Sequence, residues 1–94
     1  MKIIICGAGE VGFSLAKYLA SENMQVTVID ENSDRLQKVS GSIDVRSIVG
    51  KTYNPNILSE AGAENADLLI SVSDNDESNI LACEIAKILF NLEN

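Results

Sequence analysis

Blocks of apolar and polar positions predict four strands along this chain, each followed by a helix. The first strand, Lys2–Cys6, is a continuous apolar run, which is typical of a strand buried on both faces of a sheet. The other three are rich in β-branched or aliphatic residues and are predicted at Gln25–Asp30, 44–49 and 67–72.

The helices are predicted from apolar residues that recur every three or four positions and from capping residues. The small residues Gly12 and Ala16 accompany the apolar positions of the first helix, which begins at Glu10. Asn32 or Ser33 is expected to cap the second helix. The expected core stripes are Val11, Leu15 and Leu19 in the first helix and Leu81, Ile85, Ile88 and Leu92 in the last; Asn54 is the expected cap of the third helix.

Strands that alternate with helices predict the α/β class, here a Rossmann-like, doubly wound parallel sheet with right-handed crossovers. The expected strand order is 3-2-1-4. We expect residues 1–94 to form a single domain. The fourth strand would be a bare sheet edge, so we expect a sheet truncated at its last strands, within a longer chain, or an edge that a partner covers.

The composition excludes several classes of function. A net charge of −7 disfavours nucleic acid as a partner, because phosphates require a basic face. Histidine, the commonest general base and metal ligand, is missing. Apolar runs fall short of the ~20 residues that span a bilayer, and no signal peptide is recognised, so we expect a cytoplasmic protein. Cys6 and Cys83 are expected to be buried in a reducing compartment.

The loop after the first strand has the sequence ICGAGEVG (residues 5–12), a G-x-G-x-x-G pattern. Gly7 would permit the tight turn, Gly9 would let the backbone approach a pyrophosphate, and Gly12 would let the helix pack on the strand. The pyrophosphate would lie at the helix N-terminus, where N–H groups lack partners and the dipole is positive. Strand, loop and helix together predict a dinucleotide site.

An acid at the end of the second strand completes this pattern. Asp30 follows Gly12 by eighteen residues, and its carboxylate can accept hydrogen bonds from ribose hydroxyls. Asp30 and Glu31 would repel a 2′-phosphate, so NAD or a plain adenine nucleotide is favoured over NADP. The alternative is that the glycines serve only a tight turn and that Asp30 is a solvated strand end.

Ligands of such sheets bind at the carboxyl ends of the strands, near the point where the strand order reverses. The third and fourth strands end in Gly50-Lys51-Thr52 and Ser73-Asp74, which are therefore further candidates. Helix capping explains Ser73 and Asp74 equally well. Arg35 on the second helix can reach the adenine side, although solvent exposure is the default for such an arginine.

Four segments together resemble the KTN, or RCK N-terminal, domain family of potassium transport regulators. They are KIIICGAGEVG (2–12), residues 26–30, NPNILSEAG (54–62) and ADLLISVSDNDESNILAC (66–83). The last segment is the most diagnostic, because ordinary dehydrogenases do not carry it. The resemblance covers essentially the whole chain.

The resemblance implies a regulatory domain rather than an enzyme. Such domains bind NAD⁺ or NADH, or ATP, ADP or AMP at the same site. They assemble into dimers, tetramers or rings, and dock at the inner face of the cell membrane on a TrkH- or TrkG-like potassium-translocating subunit. Residues that match the family's ligand contacts are Gly7, Ala8, Gly9, Glu10, Val11, Gly12, Asp30, Arg35, Lys51, Thr52, Ser73 and Asp74.

One position departs from the family. Many members carry an acid or a histidine where this chain has Lys51, and a lysine cannot accept a hydrogen bond from the adenine amino group. It can attract phosphates instead, which leaves the preference between NAD and ATP open. The alternative function is the cofactor-binding half of an NAD-dependent dehydrogenase. Against it, neither Tyr18 nor Tyr53 has a lysine four residues on, and Lys51 has no acidic partner that the sequence identifies.

Overall fold

Four strands and four α-helices alternate along the computed structural model, which describes residues 1–92. The strands are β1 (Lys2–Cys6), β2 (Gln25–Asp30), β3 (Arg46–Val49) and β4 (Leu68–Ser71); the helices are α1 (Glu10–Ser21), α2 (Ser33–Ser42), α3 (Pro55–Glu60) and α4 (Asp76–Phe90). The paired strands are parallel and lie in the order β3-β2-β1-β4, which confirms the predicted α/β class and strand order. The last two residues of the predicted domain, 93 and 94, lie outside the described residues.

Strand β1 is central and buried from both sides. Its Ile5 pairs with Val28 of β2 and with Ile70 of β4. Because successive side chains of a strand point to opposite faces, Ile4 and Ile5 enter different cores. Both are at most 1% exposed, which explains the continuous apolar run in this part of the sequence.

Two hydrophobic cores flank the sheet. One contains Ile3 and Ile5 with residues of α1 and α2, namely Ala16, Leu36 and Val39. The other contains Ile4 and Cys6 with residues of α3 and α4, namely Leu58, Ala82 and Ala86. Helices therefore cover both faces, and the carboxyl ends of the strands are left for the loops that form the candidate site. Within residues 1–92, no helix combines the length and the apolar character that crossing a membrane requires.

The face that α1 buries differs from the predicted stripe. Gly12 and Ala16, expected beside the stripe as small contact points, are buried; Leu15 and Leu19 are half-buried and pack against the core, whereas Val11 is 63% exposed. The expectation that Val11 belongs to the core is therefore wrong. Small residues let a helix approach a sheet closely, so the contact line follows Gly12 and Ala16.

Helix α4 repeats this shift. Its buried residues are Ala82 and Ala86, whereas Leu81 and Ile88 are 45% and 73% exposed, so their predicted core role is wrong. Leu92 is buried as predicted, but it lies beyond the helix end. Its N–H donates to the carbonyl of Ala86 (3.1 Å), which folds the chain back onto the last turn.

Two element boundaries also differ from the prediction. The N–H of Val45 donates to the carbonyl of Ile43 (3.0 Å), a local turn that keeps Val45 out of the ladder, so β3 begins at Arg46. Residues Ala63–Asn65 form an unpredicted 3₁₀ turn after Gly62, whose φ is 90°. Strand β4 is one residue shorter at each end than predicted.

Candidate functional site

The glycine loop, residues 7–12, leads from β1 into α1 and lies against the end of β4. Gly7 has a φ of 120°, which favours glycine, and a Cβ there would lie 2.8 Å from the backbone N of Ser73. A Cβ on Gly12 would lie 1.9 Å from the carbonyl oxygen of Gly7. These two glycines therefore fix the shape of the loop and the close approach of α1.

Among the α-helices of residues 1–92, α1 alone begins without a side-chain cap. Asn32, Asn54 and Asn75 accept hydrogen bonds from first-turn N–H groups of α2, α3 and α4, which confirms the predicted caps at Asn32 and Asn54. The N-cap of α1 is Gly9, which has no side chain to do this. The first-turn N–H groups of α1 are thus left for an outside acceptor, at the positive end of the helix dipole.

Space is open over Gly9. The nearest atom to a Cβ built there is Nη1 of Arg35, at 3.8 Å, which is ordinary van der Waals contact. Glu10 lies next to it, in the first turn of α1. A phosphate can therefore approach the backbone at Gly9, with the Arg35 guanidinium beside it.

Asp30 ties the end of β2 to the glycine loop. One carboxylate oxygen accepts from the N–H of Ala8 (2.7 Å) and the other from the N–H of Asn32 (2.8 Å). A carboxylate oxygen can accept more than one hydrogen bond, so capacity remains for ribose hydroxyls. Asp30 therefore holds the glycine loop at the end of β2.

Asn79 of α4 holds the loop that follows β4. Its Oδ1 accepts from the hydroxyl (2.7 Å) and N–H (3.0 Å) of Ser73 and from the hydroxyl of Ser71 (2.8 Å). Its Nδ2 donates to the carbonyl of Ser73 (3.0 Å). Asn79 was assigned no role from the sequence, although it stands within the most diagnostic segment; in the structure it positions Ser73.

Lys51 forms an ion pair with Glu31, and its Nζ lies 5.9 Å from the centroid of the Tyr53 ring. The hydrogen bond and charge of Glu31 raise the pKa of Lys51 above its usual value. Glu31 is therefore the acidic partner of Lys51 that the sequence alone did not identify. Its neighbour Thr52 is 6% exposed and lies beside the same strand ends.

An ion pair between Arg35 and Asp74, with Nη1 and Oδ2 3.5 Å apart, connects the start of α2 to the loop after β4. Cavities lie on both sides of it. The glycine-loop cavity, about 490 Å³, is lined by Ala8, Gly9, Glu10, Phe13, Ser14, Arg35, Lys38 and Asp74. The strand-end cavity, about 170 Å³, is lined by Asp30, Glu31, Arg35, Thr52, Tyr53, Ser73, Asp74, Asn75 and Ser78.

Most of the predicted site residues meet at these cavities. The side chain of Val11 instead lines a surface depression with Leu15 and Tyr18, and Lys51 lines neither cavity. A further cavity of about 540 Å³ lies at the amino ends of the strands, on the side away from the glycine loop, and is lined by none of the predicted site residues. The residues that line the site but that the sequence did not single out are Phe13, Ser14, Lys38, Tyr53, Asn75 and Ser78.

The chain that forms this glycine loop, acid and set of strand ends also matches a known protein family in sequence. The TrkA-N domain model matches residues 3–94. The chain belongs to the TrkA-N domain family. The resemblance that the sequence showed is thereby confirmed at the level of the family.

Two TrkA-N relatives are described as "Trk system potassium uptake protein TrkA". The protein of Vibrio alginolyticus is 47% identical over 94 residues, and that of Azorhizobium caulinodans is 46% identical over 92 residues. The matches cover 100% and 98% of this chain but 20% of each relative, so the chain spans about a fifth of their length. Both are named as potassium uptake proteins and not as enzymes.

Solved structures share the fold. The Kef CTD of Shewanella denitrificans, described in AMP-bound form, has a TM-score of 0.83 at 21% identity, covering 100% of this chain and 56% of that one. The TrkA-N domain of inner membrane protein ybaL from Escherichia coli has a TM-score of 0.82 at 24% identity, covering 92% and 63%. An anaerobillin reductase, ChuY from Escherichia coli O157:H7, has a TM-score of 0.74 at 17% identity, covering 98% and 47%. The fold alone therefore does not separate regulation from catalysis.

Proposed function

We propose that this chain is the nucleotide-binding regulatory domain of a potassium uptake system. It binds NAD⁺ or NADH, or ATP, ADP or AMP at the same site, and transmits its occupancy to a membrane-embedded potassium-translocating subunit. The observation that carries the proposal is the uncapped N-terminus of α1 beside Asp30, whose carboxylate holds the glycine loop at Ala8.

The ligand's phosphates bind at the start of α1, over Gly9, where N–H groups and the helix dipole favour an anion. Asp30 accepts hydrogen bonds from the ribose hydroxyls. Glu31 adds a second negative charge nearby, so a 2′-phosphate is disfavoured and NAD is preferred over NADP. Arg35 exchanges its exposed ion pair with Asp74 for the phosphate, at small cost because exposed pairs contribute only about 0–1 kcal/mol.

Further contacts come from the ends of the outer strands. Thr52 and Ser73 line the strand-end cavity, and Asn79 fixes the position of Ser73. Lys51 lies beside the site with its charge engaged by Glu31, which favours a role in shaping the site over direct attraction of phosphates. In this proposal Lys51 therefore gives no reason for the site to prefer ATP over NAD.

The comparisons support the two parts of this proposal. The Kef CTD neighbour, described as AMP-bound, supports an adenine nucleotide, and the relatives' names support potassium uptake. The dehydrogenase alternative needs a group that handles the substrate's proton. The sequence has no histidine, and we assign no catalytic residue.

Regulation requires that the ligand bind one arrangement of subunits better than another. A tenfold preference shifts that equilibrium by about 1.4 kcal/mol at saturation. We therefore propose that residues 1–94 act as one domain of a longer chain, in a homo-oligomer on the cytoplasmic face of the membrane. The partner is a TrkH- or TrkG-like subunit.

Thermal unfolding with a panel of nucleotides tests the binding step. A ligand at a hundred times its Kd stabilises the folded state by about 2.7 kcal/mol, so NAD⁺, NADH or AMP should raise the Tm clearly and NADP much less. A Tm unchanged by NAD⁺, NADH, AMP, ADP and ATP would refute the proposal. Oxidation of NADH by the chain in the presence of a carbonyl substrate would favour the dehydrogenase instead.

A further inference from the structure

Tyr53 occupies a fixed position at the end of β3. It lies in a turn that the N–H of Asn54 closes by donating to the carbonyl of Lys51 (3.1 Å), and the Asn54 side chain then caps α3. The Tyr53 ring is half-buried and packs against the core that contains Leu58 and Ile48. Strand, turn and helix cap therefore hold this aromatic side chain in place.

A charge pair borders the Tyr53 ring. The Lys51 ammonium lies over it, 5.9 Å from the centroid, and Glu31 holds that ammonium by an ion pair. A cation over a ring is attracted by the negative face of the ring. Tyr53 also lines the strand-end cavity, together with Asp30 and Thr52.

The charges of the two cavities differ. The strand-end cavity carries three carboxylates, Asp30, Glu31 and Asp74, against the one guanidinium of Arg35; with Lys51, which pairs with Glu31 beside the cavity, the formal net charge is −1. The glycine-loop cavity carries two acids, Glu10 and Asp74, against two bases, Arg35 and Lys38, and is neutral. Phosphates are thus disfavoured beside Tyr53, whereas a flat, uncharged heteroaromatic ring is accommodated there.

We propose that Tyr53 is the aromatic wall against which the base of the bound nucleotide stacks, and that it sets the requirement for a base. The inference rests on the proposed function, because it assumes that phosphate and ribose bind at the glycine loop and Asp30. Base–aromatic stacking depends on a π-face that every base has. Tyr53 therefore raises the affinity for nucleotides relative to that for sugar phosphates, without selecting strongly among bases.

Calorimetric titration with AMP and with ribose 5-phosphate tests the proposal, because ribose 5-phosphate carries the same sugar and phosphate but a hydroxyl where AMP carries its base. Tyr53→Leu should weaken AMP by about 5- to 150-fold and leave ribose 5-phosphate unchanged. Tyr53→Phe, which keeps the ring, should retain AMP affinity. Tyr18→Leu is the matched control, since Tyr18 is 61% exposed on α1 and lines neither cavity.

Tyrosine fluorescence gives a second readout. The sequence has two tyrosines and no tryptophan, so Tyr53 is the sole emitter in a Tyr18→Phe chain. AMP should quench this emission to saturation, and ribose 5-phosphate should not. If the Tyr53→Leu chain does not fold, this quenching measurement is sufficient by itself to test whether the base stacks on Tyr53.

The outcomes separate the two proposals. Equal AMP affinity in the Tyr53→Leu chain, or quenching by both ligands alike, overturns the role of Tyr53 while nucleotide binding stands. A parent chain that binds none of AMP, ADP, ATP, NAD⁺ and NADH overturns the proposed function and this inference with it.

Discussion

The carboxylate of Asp30, at the end of β2, accepts a 2.7 Å hydrogen bond from the N–H of Ala8 in the glycine loop. The two residues are 22 positions apart in the sequence and are fixed to each other where β1 and β2 end. In the proposed complex, one carboxylate contacts the ribose and also shapes the loop that holds the phosphates. A change at Asp30 should therefore affect both parts of the ligand.

Asp30→Asn tests this relationship, because it removes the charge and keeps the shape. Hydrogen bonds to charged groups contribute ~1.5–3 kcal/mol, so NADH should bind about 10- to 100-fold more weakly by calorimetry. Asp67→Asn is the control: its carboxylate accepts a 2.7 Å bond from the N–H of Lys2 at the opposite sheet edge. An equal loss of NADH affinity in the two variants would show that Asp30→Asn acts through folding and not through a contact with the ligand.

Gly9→Ala separates folding from binding. The added methyl meets Arg35 Nη1 at 3.8 Å and the backbone of Gly9 is extended, so no clash arises; because alanine is a poorer N-cap than glycine, the free energy of unfolding should fall by about 1 kcal/mol. The methyl projects into the space assigned to the pyrophosphate, so NADH affinity should fall by about tenfold or more. Full affinity in a normally folded variant would locate the phosphates elsewhere.

Gly12→Ala should destabilise the fold, whereas Gly9→Ala acts mainly on ligand binding. Its Cβ would lie 1.9 Å from the carbonyl oxygen of Gly7, so α1 must move, and we expect a destabilisation of about 3 kcal/mol or more in urea unfolding. Gly41→Ala, in α2, meets nothing within 4 Å and should stabilise by about 0.5–1 kcal/mol. Similar results for the two substitutions would contradict the close packing of α1 on the loop.

Much of the fold follows from local patterns that the sequence displays. The continuous run of β1, the caps Asn32 and Asn54 and the glycine loop each depend on neighbouring residues, so they predict the element order and the class of sheet. Periodicity, however, gives the angular spacing of apolar residues without saying which line touches the sheet. Periodicity therefore could not show that Ala82 and Ala86, and not Leu81, form the buried face of α4.

The candidate site was predictable in its glycines and in Asp30, because those belong to one strand–loop–helix unit and its neighbour. Its ion pairs were not. Lys51 meets Glu31 across 20 positions, and Arg35 meets Asp74 across 39, so both pairings depend on how the strand ends come together. Tyr53 was not predicted to line the site because a single aromatic residue in a turn carries no pattern.

The thiols provide a last prediction, which concerns pH. Burial, and then the nearby Cys83, raise the pKa of Cys6 to about 12 from an ordinary value of 9.0. Because the folded-state pKa is raised, its contribution to stability is fully present below pH 9.0 and is lost as the pH rises from there towards 12. At pH 8 Cys6 is therefore a protonated and inert thiol.

Ellman's reagent at pH 8 should then label native Cys83, which is half-buried, faster than native Cys6, and should label both in guanidinium chloride. A Cys83→Ser chain should react in the native state only at the rate at which it unfolds, whereas a Cys6→Ala chain should keep the faster phase. Rapid native labelling of the Cys83→Ser chain would show that β1 opens to solvent and that Cys6 is not sealed in the core.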